Sequence, residues 1–503
     1  MSSSAKGIII IGSEGIMIEA ECHVSKGLPK MIIVGLGGKA IDEAKERIRA
    51  AFINTGLKLP KRRITINLAP ADVRKESTSL DLAIAAAILQ AGQLAKRSFS
   101  EQEILIGELA LDGSVRPVRG IIGKILAAQH HGVNTFYIPM GNLSQARLIP
   151  GVTLMPIDTL RDLYLHLNDE TKLVAYSGGH AIVTNYQTDD TVLASIVGQA
   201  RAKRALAIAA AGGHNMLLCG PPGTGKSMLA KALISLLPPL SHQEILEVTH
   251  LHSLANSRYD ELVTSRPFRA PHHTSSHVAV IGGGADTRPG EITLSHRGVL
   301  LLDEIPEFSR TTLEALRQPL EDKYVTISRI KQSVRYPANF TLIATANPCP
   351  CGYYASEQEC QCSMSEVIRY QRKVSGPILD RIDLQVDVES VDTTHLLSER
   401  PTSSDNPTQK QIIAARDIQF NRLKEQKLNA DLTNQELRIY AQLSPGATAL
   451  LNAAAERLRV SARGYMRVVR LARTIADLDN SVPISETHIS EAIQYRGMRT
   501  FEH

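Results

Sequence analysis

Aromatic residues are scarce in this sequence: it contains no tryptophan, and aromatic side chains make up only 4% of its 503 residues. It also lacks a run of roughly 18 apolar residues, the length that a membrane-spanning helix needs. The apolar run "LAIAAAIL" at 82–89 is too short and is typical of a buried helix. The N-terminus shows no long apolar region followed by a small-residue cleavage site, which argues against a secretory signal. We therefore expect a soluble, cytoplasmic protein with no membrane partner.

Cysteine is also scarce, and it is unevenly distributed. Four of the six cysteines, Cys349, Cys351, Cys360 and Cys362, follow the spacing C-x-C-x₈-C-x-C. This is not the framework of a secreted disulfide-rich domain. Four thiolates close together in a cytoplasmic protein are typical of a tetrahedral zinc site, although these C-x-C pairs are tighter than the usual C-x₂-C. The sequence predicts structural Zn²⁺ here, with reduced, unliganded loop cysteines as the alternative.

The remaining composition is that of an ordinary globular protein. Hydrophobic residues make up 43% and charged residues 21%, which allows a large core. The length predicts two to four domains. The formal net charge of +5 permits an anionic partner, but surface Lys and Arg without a partner explain this number equally well.

Changes of pattern divide the chain into four segments. Residues 1–168 alternate β-rich runs with helical stretches, which indicates an α/β or α+β domain. Residues 169–190 are rich in Gly, Asp and polar side chains and are predicted to be a linker. Residues 191–400 repeat strand, Gly-rich loop and helix, as three-layer nucleotide-binding domains do. Residues 401–503 are predicted to be helical.

A phosphate-binding loop is the strongest motif. "NMLLCGPPGTGKSMLAKAL" (215–233) reads as a β-strand, a G-x₄-G-K-S loop and a helix. Glycines let backbone N–H groups turn inward around phosphates, and the helix N-terminus adds a positive dipole end. Lys226 is expected to reach the β- and γ-phosphates, and the Ser227 hydroxyl to bind Mg²⁺. The predicted ATP contacts are Gly220, Pro221, Pro222, Gly223, Thr224, Gly225, Lys226, Ser227 and Met228.

Polar residues follow two further buried strands. "GVLLLDEI" (298–305) ends in Asp303, which fits a second Mg²⁺ contact, and Glu304, which fits the group that orients the attacking water. "FTLIATANP" (340–348) ends in Asn347, whose side chain is expected to position water beside the γ-phosphate.

Arginines near the C-terminus are candidate phosphate sensors. "SGPILDRIDL" (375–384) carries Arg381, whose spacing suggests an arginine finger for a neighbouring subunit's nucleotide. The alternative is a salt bridge to Asp380 or Asp383. "SARGYMRVVRLARTIADL" (461–478) places three further arginines, Arg463, Arg467 and Arg470, on one helix. One of them could sense nucleotide; the alternative is that they form a solvated basic face.

The stretch "VTISRIKQSVRYP" (325–337) nearly alternates apolar and polar residues on either side of a basic middle. Alternation of this length predicts two short strands, and the middle predicts a hairpin tip. A structural hairpin usually turns on neutral Gly or Asn, whereas this tip carries Arg329 and Lys331. A solvated hairpin is the alternative to a contact with an anion.

Together these motifs resemble the AAA+ superfamily. "RPFRAPHHTSSHVAVIGGGADTRPGEITLSHRGVLLLDE" (266–304) resembles the signature of its magnesium-chelatase-like branch. Nearly the whole chain resembles the ComM/YifB group of that branch. The resemblance implies a three-layer α/β P-loop AAA+ core with an α-helical lid, preceded by a Lon-protease-like α+β domain of the ribosomal S5 domain 2 type.

The resemblance also implies a homo-hexameric ring that binds ATP between subunits. Carried over by position, Asn347 matches the first sensor, Arg381 the arginine finger and Arg463 the second sensor, with Arg467 as a competitor. Lys226, Ser227, Asp303 and Glu304 match the ATPase residues, with Glu304, Lys226 and the three sensing residues as the catalytic set.

Proteins of this group are DNA helicases that drive branch migration of recombination intermediates in natural transformation. The resemblance therefore implies single-stranded, forked or D-loop DNA as partner, together with recombination proteins. It places the 325–337 hairpin in the pore, with Arg329 and Lys331 on DNA phosphates. The alternatives are an ATPase that remodels a protein partner, as magnesium chelatase does, and a Lon-like protease.

The N-terminal segment carries a Lon-like pattern with an altered site. Aligned on that pattern, Ser79 falls at the nucleophile and Lys124 at the general base. We expect Asp81 to pair with Lys124 and to keep it protonated, which would spoil the base. Peptidase activity is therefore not expected, and a binding or oligomerisation platform is the better interpretation.

Overall fold

The computed structural model describes most of the chain, and none of its described helices is long and apolar enough to cross a membrane. The described residues are 2–11, 14–35, 39–73, 75, 77–179, 191–255, 261–284, 287–329, 332–390, 407–458 and 460–496.

The segment up to residue 179 alternates strands and helices, as predicted. Its strands are β1 (Ser2–Ile11), β2 (Glu14–Ser25), β3 (Lys30–Val34), β4 (Arg63–Ala69), β5 (Glu103–Leu105), β6 (Glu108–Leu109), β7 (Val115–Arg116), β8 (Thr135–Pro139), β9 (Thr153–Ile157) and β10 (Tyr176–Ser177). Its helices are α1 (Lys39–Asn54), α2 (Asp81–Ala91), α3 (Ile121–His130), α4 (Leu143–Ala146) and α5 (Leu160–Leu167). Two four-stranded sheets form, in the orders β1-β2-β4-β3 and β10-β9-β8-β5, and β6 pairs with β7 in a two-stranded sheet. Helix α2, which contains the apolar run 82–89, is buried on almost every side.

The middle of the chain is an α/β layer structure. Its helices are α6 (Thr191–Ala194), α7 (Ala200–Gly212), α8 (Lys226–Leu236), α9 (His242–Ala255), α10 (His277–Ile281), α11 (Glu291–Leu294), α12 (Arg310–Ala315), α13 (Arg317–Asp322), α14 (Met364–Gln371) and α15 (Gly376–Leu379). Its strands are β11 (Met216–Cys219), β12 (Phe268–Arg269), β13 (Gly282–Gly283), β14 (Arg288–Pro289), β15 (Val299–Leu302), β16 (Tyr324–Arg329), β17 (Gln332–Pro337), β18 (Thr341–Ala346) and β19 (Leu384–Asp387).

Five of these strands form one parallel sheet in the order β12-β15-β18-β11-β19. Every residue of β11, β15 and β18 is buried, because layers of other residues cover both faces of a parallel sheet. This sheet confirms the predicted α/β P-loop core.

The tail after residue 407 is helical, as predicted. Its helices are α16 (Gln409–Leu423), α17 (Asn434–Tyr440), α18 (Pro445–Arg457), α19 (Ala462–Leu478) and α20 (Glu486–Gln494). Capping side chains define several helix starts: Ser444, for example, accepts a hydrogen bond from the Ala447 N–H, and Pro445 occupies the first turn. Helix α19 packs against α7, α16 and α20, so these helices share an apolar core with the sheet.

The predicted hairpin is present as the two-stranded sheet of β16 and β17. Its apolar residues, spaced two apart, are buried; they are Val325, Ile327, Val334 and Tyr336. The Tyr336 hydroxyl donates to the Thr287 carbonyl at 2.9 Å, and the Ala338 N–H closes the base by donating to the Lys323 carbonyl at 2.7 Å.

By its contacts the chain separates into two compact units. Unit 1 contains the described residues of 1–184, 241–264 and 328–335, and unit 2 contains the described remainder. Helix α9 therefore belongs to unit 1, where it packs against α3. A ring nitrogen of His242 lies 2.7 Å from the Leu148 carbonyl, and the Gln145 amide donates to the Glu261 carbonyl at 2.8 Å.

Candidate functional site

The predicted nucleotide site lies at one edge of the parallel sheet. Strands β15, β18 and β11 are neighbours in the sheet, and each is followed by a predicted site segment. The carboxyl ends of parallel strands meet at the same edge, which is where open α/β sheets bind ligands. The structure thus brings together the phosphate loop, the acidic pair and Asn347, from distant parts of the sequence.

The phosphate loop has the backbone that its glycines allow. Gly223 and Gly225 adopt positive φ of 80° and 82°, and helix α8 begins at Lys226. The Lys226 amine donates to the Gly220 and Pro221 carbonyls at 2.7 and 2.6 Å. Burial lowers the pKa of Lys226, while the charges of Asp303 and Glu304 act in the opposite direction. The amine therefore lies inside the loop, close enough to Asp303 and Glu304 for their negative charges to stabilise its positive charge.

A hydroxyl and a carboxylate meet at the start of α8. The Ser227 hydroxyl lies 3.2 Å from both carboxylate oxygens of Asp303. These oxygen ligands are the type that Mg²⁺ prefers, and P-loop ATPases use this pair for it. The residues present therefore fit a magnesium site.

Thr345 organises the acidic pair, and the sequence reasoning missed it. Its hydroxyl donates to Asp303 Oδ1 at 2.5 Å and accepts the Glu304 N–H at 2.9 Å. Thr345 is fully buried in β18, one residue before the strand ends. The second of the two threonines in "TLIATA", a hydroxyl among apolar residues just before the strand ends, was the available signal.

Glu304 leaves the sheet through an unusual backbone conformation. It has φ 55° and ψ 56°, in the left-handed region that non-glycine residues seldom adopt. The side chain is exposed at the sheet edge, directly before a short 3₁₀ turn at Ile305–Glu307. Such strain clusters at functional sites, where surrounding structure holds it in place. Asn347 lies half-buried, directly after β18.

The candidate sensor arginines Arg381 and Arg463 share one carboxylate. Arg381 Nη2 donates to Glu321 Oε2 at 2.5 Å, and Arg463 donates to Glu321 Oε1. Arg381 thus forms a salt bridge, but with Glu321 instead of Asp380 or Asp383. Among the described residues, Arg463 makes no hydrogen bond to the phosphate loop. Sequence reasoning missed Glu321, which lies 60 and 142 positions away from its partners.

The other arginines of α19 have different surroundings. Arg467 is buried, and its Nε lies 3.7 Å from Asp383 Oδ1. Burial lowers the pKa of Arg467 to about 10, against the opposing charge of Asp383. Arg470 donates to the Leu432 carbonyl at 2.7 Å and to Asn434, which indicates a structural role.

The four clustered cysteines converge. Their sulfur atoms all lie within 4.8 Å of one another, with separations of 3.3, 3.7 and 3.6 Å among Cys349, Cys351 and Cys360. Four thiolates about 2.3 Å from a tetrahedral Zn²⁺ would be about 3.8 Å apart. A hydrogen bond from the Tyr353 N–H lowers the pKa of Cys351 to about 6, which favours its thiolate. Against backbone hydrogen bonds, desolvation and the neighbouring thiols raise the pKa of Cys360 and of Cys362, so the convergence of the four sulfur atoms and not their pKa values is the evidence for a metal site. The residues present therefore fit zinc.

The segment that carries these cysteines, residues 349–362, is called the cysteine loop below, and it touches the phosphate loop. Gly352 has φ +90°, and a Cβ added there would lie 2.5 Å from Pro222 Cδ. No side chain fits between the two loops at this point. The Gln371 amide, on α14, donates to the Pro348 carbonyl at 2.9 Å and fixes the start of the cysteine loop.

The predicted DNA contacts lie outside the described residues: Lys331 is not described, and of Arg329 only the backbone is. The hairpin strands on either side of them are described above.

The Lon-like pair does not form a dyad. The Ser79 hydroxyl lies 3.1 Å from the Ile8 carbonyl, whereas the Lys124 amine donates to the Arg119 carbonyl at 2.9 Å. The predicted pairing of Asp81 with Lys124 is wrong: Asp81 binds Arg47 through contacts of 2.7 and 3.1 Å.

Burial destabilises the charged form of Lys124, and Asp81 does not stabilise it. Burial lowers the pKa of Lys124 to about 7. Burial also raises the pKa of Asp81 to about 6, against the charge and hydrogen bonds of Arg47. The sequence reasoning assigned Asp81 to the wrong cation, because the partner on α1 is distant in sequence.

Three family profiles cover most of the chain. Those described as "Magnesium chelatase, subunit ChlI", "Subunit ChlI of Mg-chelatase" and "Magnesium chelatase, subunit ChlI C-terminal" match residues 192–396, 20–142 and 402–496.

Individual relatives extend the match to nearly full length. The chain is 41% identical to the uncharacterized protein YifB of Escherichia coli (strain K12), over 96% of this chain and 94% of that protein. It is 40% identical to the competence protein ComM of Haemophilus influenzae, over 97% and 96%. An archaeal Lon protease of Methanothermobacter thermautotrophicus is 29% identical over 32% of this chain and 26% of its own length. The chain belongs to the ComM/YifB family of AAA+ proteins of the magnesium-chelatase type.

Proposed function

We propose that this protein hydrolyses ATP at the edge of its parallel sheet. Lys226 binds the phosphates, Ser227 and Asp303 hold Mg²⁺, and Glu304 orients the attacking water. The observation that carries this proposal is the meeting of Ser227, Asp303 and Thr345 beside the phosphate loop. Mg²⁺ would neutralise charge on the β- and γ-phosphates, while the loop's N–H groups and Lys226 position them.

Two substitutions separate binding from hydrolysis. Lys226→Ala is expected to lose nucleotide binding, because it removes the cation of the loop. Glu304→Gln is expected to bind ATP but to hydrolyse it on the order of 10²-fold more slowly. Binding of a fluorescent ATP analogue and steady-state phosphate release measure these effects. A Glu304→Gln protein with wild-type turnover would contradict the assignment of Glu304.

ATP hydrolysis drives movement on DNA, by which a homo-hexameric ring promotes branch migration of recombination intermediates. Similarity to ComM, which is named a competence protein, supports a role in natural transformation. The β16–β17 hairpin supplies Arg329 and Lys331 to DNA phosphates, which offer contacts independent of sequence to a translocating protein. Single-stranded, forked or D-loop DNA is the substrate, and recombination proteins are the expected partners.

The DNA role is tested by ATP hydrolysis and unwinding with and without single-stranded and forked DNA. DNA is expected to stimulate the wild type. Arg329→Ala with Lys331→Ala should keep assembly and basal hydrolysis, lose stimulation and unwinding, and show a shallower salt dependence of DNA affinity. The matched control is Lys61→Ala with Lys58→Ala, two lysines of unit 1 outside the hairpin. Unwinding by the hairpin variant at the wild-type rate would exclude the hairpin as the DNA contact.

A second candidate is an ATPase that remodels a protein partner. It is favoured by the three profile matches, all of which describe the magnesium chelatase subunit ChlI. Hydrolysis that responds to a protein partner and not to any DNA would support this candidate over the first.

The cysteine loop binds one Zn²⁺ with a structural role. The convergence of four thiols, and their spacing, supports this proposal. Elemental analysis of protein purified without chelator should find about one zinc per chain. Four free thiols in metal-free, fully active protein would contradict it.

A further inference from the structure

Glu321 occupies a junction of three parts of unit 2. It lies on α13, its side chain is 42% exposed, and each of its carboxylate oxygens accepts from a different arginine. Arg381 comes from the segment between α15 and β19, and Arg463 comes from the first turn of α19. One carboxylate therefore joins the core, the helical tail and α13.

The partners of Glu321 are unequally held. The Arg381 side chain is only 10% exposed, and its Nη1 donates to the Pro377 carbonyl at 2.5 Å. Its buried Nε has no hydrogen-bond partner in the part of the chain that the structure describes. The Arg463 side chain is 45% exposed and has Glu321 as its ion-pair partner. Among the described residues, the Arg381 guanidinium thus donates to the Pro377 carbonyl and to Glu321, and Glu321 is the partner that sets the direction of its Nη2. Because two guanidinium groups share one carboxylate, these three side chains together carry a net positive charge, which favours binding of a further anion.

Glu321 also lies beside the base of the hairpin. Strand β16 begins at Tyr324, and the intervening Lys323 pairs with Asp431 of the tail at 3.2 Å. The Lys323 carbonyl accepts the Ala338 N–H that closes the hairpin. A change in the ion pairs of Glu321 therefore acts on the residues that anchor both hairpin strands.

We propose that Glu321 is a positioning residue that holds Arg381 and transmits its engagement with a neighbouring subunit's nucleotide to the hairpin base. The inference rests on the proposed function, because it takes Arg381 as the arginine finger. A phosphate is a stronger guanidinium ligand than a half-exposed carboxylate. When the Arg381 guanidinium binds a phosphate instead, Glu321 loses one of its two ion-pair partners. Helix α13 and the hairpin base then lose their connection to Arg381.

Hydrogen exchange of the assembled protein tests this coupling without DNA and without hydrolysis. In the wild type, Mg²⁺ with a slowly hydrolysed ATP analogue is expected to change exchange at residues 324–327 and 336–338 several-fold. Glu321→Gln, which keeps the shape but removes the charge, should abolish this response. Arg381→Ala should abolish it equally, and the double variant should resemble either single variant.

Glu436→Gln is the matched control, because it removes another partly exposed ion pair of unit 2, that with Lys427, and keeps a capping side chain at α17. It should respond to nucleotide as the wild type does. A nucleotide response that persists in Glu321→Gln, or is absent from the wild type, would overturn the inference. Faster exchange with and without nucleotide alike would show a merely structural salt bridge, and would also overturn it.

A second readout separates this inference from the proposed function. Glu321→Gln should reduce the stimulation of hydrolysis by DNA several-fold relative to the wild type. Its half-saturating ATP concentration should stay that of the wild type, because the ion pairs of Glu321 among the described residues are with Arg381 and Arg463 and not with the phosphate loop. If DNA did not stimulate hydrolysis by the wild type, the proposed DNA role would be contradicted. The hydrogen-exchange experiment contains no DNA, so its result tests the role of Glu321 separately.

Discussion

Thr345 shows how much one hydroxyl can organise. It binds the carboxylate of Asp303 and the backbone N–H of Glu304, so it fixes two groups that the proposed hydrolysis uses in different roles. Thr345→Val keeps the shape and removes the hydroxyl. We expect turnover to fall about 10-fold or more, since Glu304 would lose a restraint on its strained backbone.

The matched control is Thr345→Ser, which keeps the hydroxyl. Steady-state hydrolysis at saturating ATP compares the two variants, and thermal unfolding monitors stability. Equal turnover in Thr345→Val and Thr345→Ser would mean that the hydroxyl does not position the acidic pair.

His250 should make unit 1 sensitive to acid. It lies on α9, and both of its ring nitrogens are buried and lack hydrogen-bond partners among the described residues. Burial, together with the charge of Lys124, lowers the pKa of His250 to about 4. Between about pH 4 and 6.5 the unfolded chain therefore binds more protons than the folded chain, so stability falls as the pH falls.

His250→Leu should remove this contribution. The gain in unfolding temperature over the wild type should be larger at pH 5 than at pH 7.5, while Lys124 remains in both proteins. His131→Leu, at an exposed position, is the control and should shift both values equally. Parallel pH profiles of His250→Leu and the wild type would contradict this account.

Residue assignments could be predicted where the chemistry is local in sequence. The phosphate loop is one continuous motif, and its strand and helix follow it directly, so Lys226 and Ser227 could be placed from sequence. Glu321 and Thr345 act on residues far away in the chain. No local pattern marks Glu321, and the only local mark of Thr345 is that it is the second hydroxyl of an otherwise apolar strand. The Asp81 error has the same origin, because its true partner, Arg47, lies 34 positions earlier.

At the scale of elements, the cysteine loop and the phosphate loop should respond to each other. Gly352→Ala adds a methyl group where Pro222 Cδ would lie 2.5 Å away. We expect a several-fold higher half-saturating ATP concentration, because the phosphate loop must shift to admit the methyl group.

Gly132→Ala is the matched control: it also has positive φ, of +81°, but no atom lies within 4 Å of the added Cβ. It should cost about 1 kcal/mol of stability from backbone strain and leave ATP affinity unchanged. Unchanged ATP affinity in Gly352→Ala would show that the contact between the loops is unimportant for nucleotide binding.

Elements whose sequences show a regular pattern of apolar residues could be predicted. The alternation in 325–337 gave both hairpin strands, and the apolar run 82–89 gave a buried helix. Helix α9 shows the limit of this reasoning. Its residues fall in the predicted nucleotide-binding segment 191–400, whereas packing between distant segments places the helix in unit 1.

At the scale of the whole molecule, the ring proposal predicts complementation between inactive subunits. Arg381→Ala subunits keep Lys226, and Lys226→Ala subunits keep Arg381. Random mixing of equal amounts should place intact partners at roughly a quarter of the interfaces of a ring. Mixed rings should therefore regain part of the hydrolysis that each variant alone lacks.

Differently tagged subunits that co-purify would establish mixing. No recovery of hydrolysis in rings shown to be mixed would count against action of Arg381 on a neighbour's nucleotide. The relevant control mixes Arg381→Ala with Arg381→Ala/Lys226→Ala subunits, which offers no intact Arg381.

The membership of α9 in unit 1 has a consequence for attempts to divide the protein. A fragment ending near residue 190 would carry both four-stranded sheets of unit 1 but not the helix that covers part of α3. It would bare the surface around Gly120 and Gly123, where Ile10, His250 and Leu254 now meet. Uncovered apolar surface of this kind favours aggregation. Such a fragment should stay in solution better when residues 241–264 are fused back to it. Engineering of unit 1 as a separate protein therefore requires the segment that follows the phosphate loop.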